Sequence, residues 1–117
     1  MHEMALMSDI LSIVDQDAQQ RGVKRITDVQ LIVGDLSNAL PDALEMAFLV
    51  FKKQGKARLA EDATLTIIRE AAHAVCIFCG EEYEPKERIA LCPSCSMPGG
   101  ELTSGETFKV HSYETDE

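Results

Sequence analysis

The stretch VCIFCGEEYEPKERIALCPSC, residues 75–95, holds every cysteine of the chain in two pairs, Cys76 with Cys79 and Cys92 with Cys95, spaced C-x2-C-x12-C-x2-C. Two tight pairs at this separation can bring four sulfurs to the corners of one tetrahedron, the geometry that structural zinc prefers. Gly80 after the first pair, and Pro93 and Ser94 inside the second, allow tight turns in which backbone amides face the sulfurs and stabilise thiolate charge. A redox C-x-x-C motif sits at a helix start, which neither pair does in this pattern. Rubredoxin-like iron shares the C-x-x-C-G and C-P-x-C elements, and spacing alone does not choose between iron and zinc. The chain has no tryptophan and few aromatics, which favours zinc. Four sulfur ligands close a zinc site, so this metal builds shape, and any exchangeable metal binds elsewhere.

Around the cysteines, the large apolar residues are few: Val75, Ile77, Phe78, Tyr83, Ile89 and Leu91. They are too few to offset the entropy of ordering the segment, whereas structural zinc contributes roughly 10 kcal/mol or more of folding free energy. Upstream, Met4, Met7, Leu11, Val14 and Ala18 recur every three or four residues as the apolar stripe of a first helix that ends at Gly22. Val29, Leu31 and Val33 alternate with polar neighbours as a half-buried strand closed by Gly34. Pro41 opens a second helix, with Asp42 in its first turn, a stripe of Leu44, Ala47, Phe48 and Phe51, and a stop at Lys52, Lys53 and Gly55. Leu65 and Ile67 alternate with threonines in a second strand. Strand, helix and strand predict a right-handed crossover between parallel strands. Phe108 and Val110 mark a last short strand that rejoins this sheet, making residues 73–100 an insertion.

Charge narrows the functional classes. The 117 residues contain 20 acidic and 11 basic side chains, a formal net charge of −9, which opposes binding to a nucleic-acid backbone. The longest apolar run, Met46 to Phe51, is too short to span a bilayer. Glu3 and Asp9 at the start do not resemble a signal peptide, and reduced metal-binding thiols fit a cytoplasmic location. No nucleophile–base constellation or open catalytic metal site is legible, so the chain does not read as an enzyme.

The amino terminus offers a second donor set. The terminal amine of Met1, the amide nitrogen of His2 and the His2 Nδ1 can form two fused chelate rings, to which Glu3 adds an amide or a carboxylate. Nickel(II) and copper(II) favour such planar nitrogen coordination, and zinc seldom displaces an amide proton. Histidine at the second position is too bulky for ordinary removal of the initiator, so Met1 is expected to stay. A histidine at a frayed chain end is, by itself, weak evidence.

Met1-His2-Glu3-Met4, followed by Leu6 and Met7 in a helical pattern, resembles the start of the HypA/HybF family of nickel metallochaperones. The similarity runs on through Gly34, Leu36 and Ser37, through Pro41, Ala43, Leu44, Ala47 and Phe48, and through Ala63, Leu65 and Ile67. It resumes at Cys76, Cys79-Gly80, Cys92-Pro93 and Cys95, and closes at Gly105 and Glu106 leading into Phe108 and Val110. Ser96 departs from the glycine usual after the last cysteine, as does Ser37-Asn38-Ala39 from Ser-Gly. The resemblance implies an α+β fold: a small nickel-binding domain of residues 1–72 and 101–117, two helices packed on a short mixed sheet, carrying the zinc ribbon of 73–100. It implies nickel as cargo at Met1, His2 and Glu3, zinc at Cys76, Cys79, Cys92 and Cys95, and delivery to [NiFe]-hydrogenase or urease. A HypB-type GTPase and a hydrogenase large-subunit precursor are the implied partners, with homodimerisation left open. The alternatives are a rubredoxin-like iron electron carrier and a zinc-ribbon adaptor that binds only proteins. His73 and His111 read as ordinary hydrogen-bonded or exposed residues, Met4 and Met7 as helix core, and Glu114, Asp116 and Glu117 as a solvated tail.

Overall fold

A computed structural model describes residues 2–86 and 91–117, the side chain of His2 excepted. Helix α1 spans His2–Arg21 and buries Met7, Ile10, Leu11, Val14 and Ala18, the expected stripe with Ile10 added and Met4 half-buried. It ends as the sequence requires. Gly22 takes φ 73°, and the amides of Gly22 and Val23 donate to the Gln19 and Ala18 carbonyls at 3.2 and 2.9 Å, a Schellman closure that only glycine enters without strain. Helix α2, Pro41–Lys53, has proline in its first turn, Asp42 beside it and Lys52 and Lys53 in its last turn, so the charges oppose the ends of the helix dipole. Leu44, Ala47 and Phe48 face the core.

Strands β1 (Ile26–Gly34), β2 (Leu59–Glu70) and β6 (Phe108–Glu114) form one sheet in the order β2-β1-β6. Asp28 accepts the hydroxyls of Thr64 and Thr66, and further along both strands the Asp35 amide donates to the Glu70 carbonyl at 3.0 Å. Positions advance together, so β1 and β2 are parallel, as the crossover required. On the other side, Ser112 bonds Gln30 and the Gly34 amide bonds the Thr107 carbonyl, so positions run oppositely and the sheet is mixed. Both outer strands are longer than the alternation suggests. Their ends carry polar residues, and pairing to β1 orders them regardless of local pattern.

The chain divides into two compact units, one of Met1–Ile32, Ala39–Ile68 and Lys109–Glu117, the other of Val33–Asn38 and Arg69–Phe108. In the first, Tyr113 of β6 donates to Asp17 of α1, and that bond holds the Asp17 carboxyl below the usual carboxylate range. The acidic end is exposed, as expected, yet it is tied to the chain. Glu117 accepts the amides of Lys24 and Arg25 at 2.7 and 2.8 Å, and Asp116 pairs with Arg25 at 3.5 Å, satisfying loop donors that precede β1. Among the described residues, no helix is long and apolar enough to cross a membrane.

The second unit holds a sheet that the sequence pattern did not suggest, in the order β4-β3-β5, from β3 (His73–Cys76), β4 (Glu82–Tyr83) and β5 (Gly100–Ser104), all antiparallel. These strands are too short to show an alternation. Their entry is set by a close backbone approach: a Cβ on Gly34 would lie 2.1 Å from the Gly105 carbonyl oxygen, while the Leu36 amide bonds that same oxygen at 2.8 Å. Gly34→Ala therefore must push two backbones apart, and thermal unfolding should show a loss of about 3 kcal/mol.

Candidate metal centre

Cys76 ends β3, and the chain then turns so that the Gly80 amide donates to the Cys76 carbonyl at 2.9 Å and the Cys76 amide to the Glu81 carbonyl at 2.9 Å. The second pair repeats the turn. The Ser96 amide donates to the Cys92 carbonyl at 2.8 Å, and the Cys92 amide to the Met97 carbonyl at 3.2 Å. Gly80 has φ 76° and Ser96 has φ 59°, so each turn exits through the left-handed region. Serine keeps the turn that glycine makes in the first pair, at a conformational cost of about 1 kcal/mol.

The two turns bring all four sulfurs within 4.8 Å of one another, with Cys76 to Cys95 and Cys79 to Cys92 each at 3.6 Å. A tetrahedral zinc ion with bonds of about 2.3 Å requires sulfur–sulfur edges near 3.8 Å. The donor set fits such an ion. Cys76 and Cys92 are buried, and Cys79 and Cys95 are exposed. His73, which could have replaced a thiolate, instead bonds Ser104 through Nδ1 at 2.8 Å, with Nε2 3.7 Å from Glu84.

The electrostatics of the quartet call for a cation. The amide of Cys79, with help from the Phe78 amide and the neighbouring sulfurs, outweighs burial and lowers the Cys76 thiol to about 6. At Cys79 the Glu81 amide also favours the thiolate, but Cys92, burial and the other two sulfurs outweigh it and push the thiol up to about 12. Cys95 is raised as well, the Met97 amide being overcome by burial and by Cys76 and Cys92. Cys76 ionises readily and Cys79 and Cys95 resist, as expected for like charges in one pocket. The Tyr83 hydroxyl is buried without a hydrogen-bond partner among the described residues, and burial together with the nearby sulfur charges raises its pKa.

At the other candidate site, Met1 and the side chain of His2 lie outside the described residues, while His2 and Glu3 form the first turn of α1. Glu3 is buried, and its Oε2 accepts the Leu40 amide at 3.2 Å. Leu40 is the N-cap of α2 and has no side-chain cap of its own, so Glu3 supplies the negative charge that this helix end favours. That role is absent from any local motif, because 37 residues separate the partners. His111 lies exposed on β6.

Residues 1–115 match the family model described as hydrogenase/urease nickel incorporation, metallochaperone, hypA. The chain belongs to the HypA family. It is 36% identical over 97% of its length to 98% of the hydrogenase maturation factor HypA of Rhizobium leguminosarum bv. viciae. It is 35% identical to the HypA of Desulfitobacterium hafniense strain DSM 10664 / DCB-2, both chains covered completely. Among solved structures, the solution structure of the nickel metallochaperone HypA from Helicobacter pylori matches with a TM-score of 0.63 at 21% identity, over 96% of this chain and 95% of that one. The α+β fold is therefore that of the family, and this HypA-family chain is a nickel metallochaperone for hydrogenase nickel incorporation, not an enzyme.

Two outcomes follow from the quartet. Zinc binding must release the protons of the raised thiols, so affinity should rise steeply with pH and fall on acidification, as measured by competition with a chromophoric chelator at several pH values. Ser96→Gly should raise the thermal stability of the zinc-loaded protein by about 1 kcal/mol, because the left-handed turn then carries no Cβ penalty.

Proposed function

We propose that this protein binds nickel(II) at its amino terminus and delivers it for maturation of [NiFe]-hydrogenase, with zinc held structurally by Cys76, Cys79, Cys92 and Cys95. The observation that carries this reading is the closed sulfur quartet, which leaves no open position for an exchanging ion. On this reading the nickel-binding domain is formed by residues 1–72 and 101–117, and the zinc ribbon by 73–100.

The donors at the terminus are the amine of Met1, the backbone amide and Nδ1 of His2, and Glu3. The first amides of an α-helix have no acceptor within the helix, so a metal that displaces the His2 amide proton breaks no helical hydrogen bond. A bare dication at a helix N-terminus is opposed by the dipole by about 0.3–1 kcal/mol. Deprotonated amide nitrogen offsets that repulsion. Because the Glu3 carboxylate holds the Leu40 amide, its backbone nitrogen is the readier donor to planar nickel. Carriage requires reversible grip, and both amine and imidazole must lose protons to coordinate, so nickel affinity falls on acidification.

A HypB-type GTPase and a hydrogenase large-subunit precursor are the partners that fit this role, in a cytoplasmic setting, and urease is the second recipient consistent with the family description. His2→Ala should abolish stoichiometric nickel binding while leaving one zinc per chain. Acetylating or extending the terminal amine should do the same. Metal quantification on untagged protein decides it, and retention of nickel by both altered proteins would place the cargo elsewhere.

A further inference from the structure

The ribbon exposes an apolar surface that nickel carriage does not use. Ile77 is 62% exposed, Phe78 60%, Leu91 59% and Met97 43%, all within or beside the two cysteine turns. Their backbones come close together. A Cβ on Gly99 would sit 3.3 Å from Ile77 and 3.6 Å from Phe78, Leu91 bridges to Pro98, and the Met97 carbonyl accepts the Cys92 amide. Residues 97–99 thus run between the two turns with large apolar side chains on either hand. Holding four such groups in water on a unit with so small a core is unfavourable, and such patches mark interaction sites.

The border of this surface is acidic. Val75 pairs with Glu82 on one side and with Glu101 on the other, so both carboxylates stand on one face of the sheet. The Ile77 side chain lies where a Cβ on Gly99 would reach, next to the Cys76–Gly100 pair that ends this ladder. Glu81, Glu82 and Glu101 are exposed and engage no cation among the described residues. A cavity of about 450 Å³ lined by His73, Val75, Glu82 and Thr103 opens beside them, with room for an extended basic side chain.

We propose that the metal-bearing end of the ribbon is a docking surface for a protein segment that presents apolar side chains flanked by lysine or arginine. The apolar groups cover Ile77, Phe78, Leu91 and Met97, and the cation meets Glu82 and Glu101 beside the cavity. A second copy of this chain is a poor occupant, because its own acidic border would face this one. An anionic membrane is disfavoured for the same reason, in a chain with net charge −9. The surface exists whether or not the amino terminus carries nickel, so its test is independent of that reading.

The experiment titrates isotopically labelled, zinc-loaded protein with two short synthetic peptides, one alternating leucine with lysine and the other leucine with glutamate, and follows backbone amide shifts. The lysine peptide should shift residues 75–82 and 97–101 saturably, and the glutamate peptide should not. Ile77→Ser with Phe78→Ser should weaken binding at least about tenfold. Glu82→Gln with Glu101→Gln, outside the cysteine turns, should weaken it at low salt and reduce its salt dependence. Equal binding of both peptides, shifts centred on the helices, insensitivity to both double variants, or concentration-dependent shifts without peptide would each overturn the proposal.

Discussion

Four thiols gathered within 4.8 Å pose a charge problem that the protein cannot solve alone. Backbone amides of the first turn favour the thiolate at Cys76, whereas burial and neighbouring sulfurs raise Cys79 and Cys95. A divalent cation removes the conflict and converts repulsion among sulfurs into coordination. The unit around them depends on this more than on packing: its large apolar side chains at the turns point outward, and its described strands are two to five residues long. On the proposed reading, a bound ion is the core that this unit otherwise lacks.

The first unit solves the opposite problem with ordinary means. Its helices bury continuous apolar stripes, its central strand buries Ile26, Val29, Leu31 and Val33, and its polar ties join elements far apart in sequence. Glu3 illustrates how such ties bear on carriage. By holding the start of α2, its carboxylate fixes the first turn of α1, the turn on which the proposed nickel donors lie. Temporary binding needs a site that is neither wholly rigid nor wholly frayed, since the first would release its ion slowly and the second would lose entropy on every capture.

Membership of the HypA family sets the context in which the two proposed kinds of donor would act: nickel incorporation by a metallochaperone. Nitrogen and sulfur separate by softness and geometry, planar nitrogen suiting nickel and tetrahedral sulfur suiting zinc. The apolar, acid-bordered end of the ribbon adds a feature of a different kind, recognition by shape and charge.

Residue order alone determined the sulfur quartet, because C-x2-C repeated at ribbon spacing has few other uses, and it determined both helices, whose stripes, proline start and glycine stops are local. It also determined the central strand and the parallel sense of its first neighbour, through the length and character of the connection. The resemblance carried by scattered residues from Met1 to Val110 pointed to the family. Tertiary structure decided the rest. The ribbon sheet escaped notice because strands of two to five residues show no period, the roles of Glu3 and Glu117 because their partners lie 37 and 93 residues away, and the necessity of Gly34 because its reason is a backbone elsewhere in the chain. Periodicity reports only neighbours along the chain, whereas long-range hydrogen bonds and close backbone approaches exist only once folding has brought distant segments together.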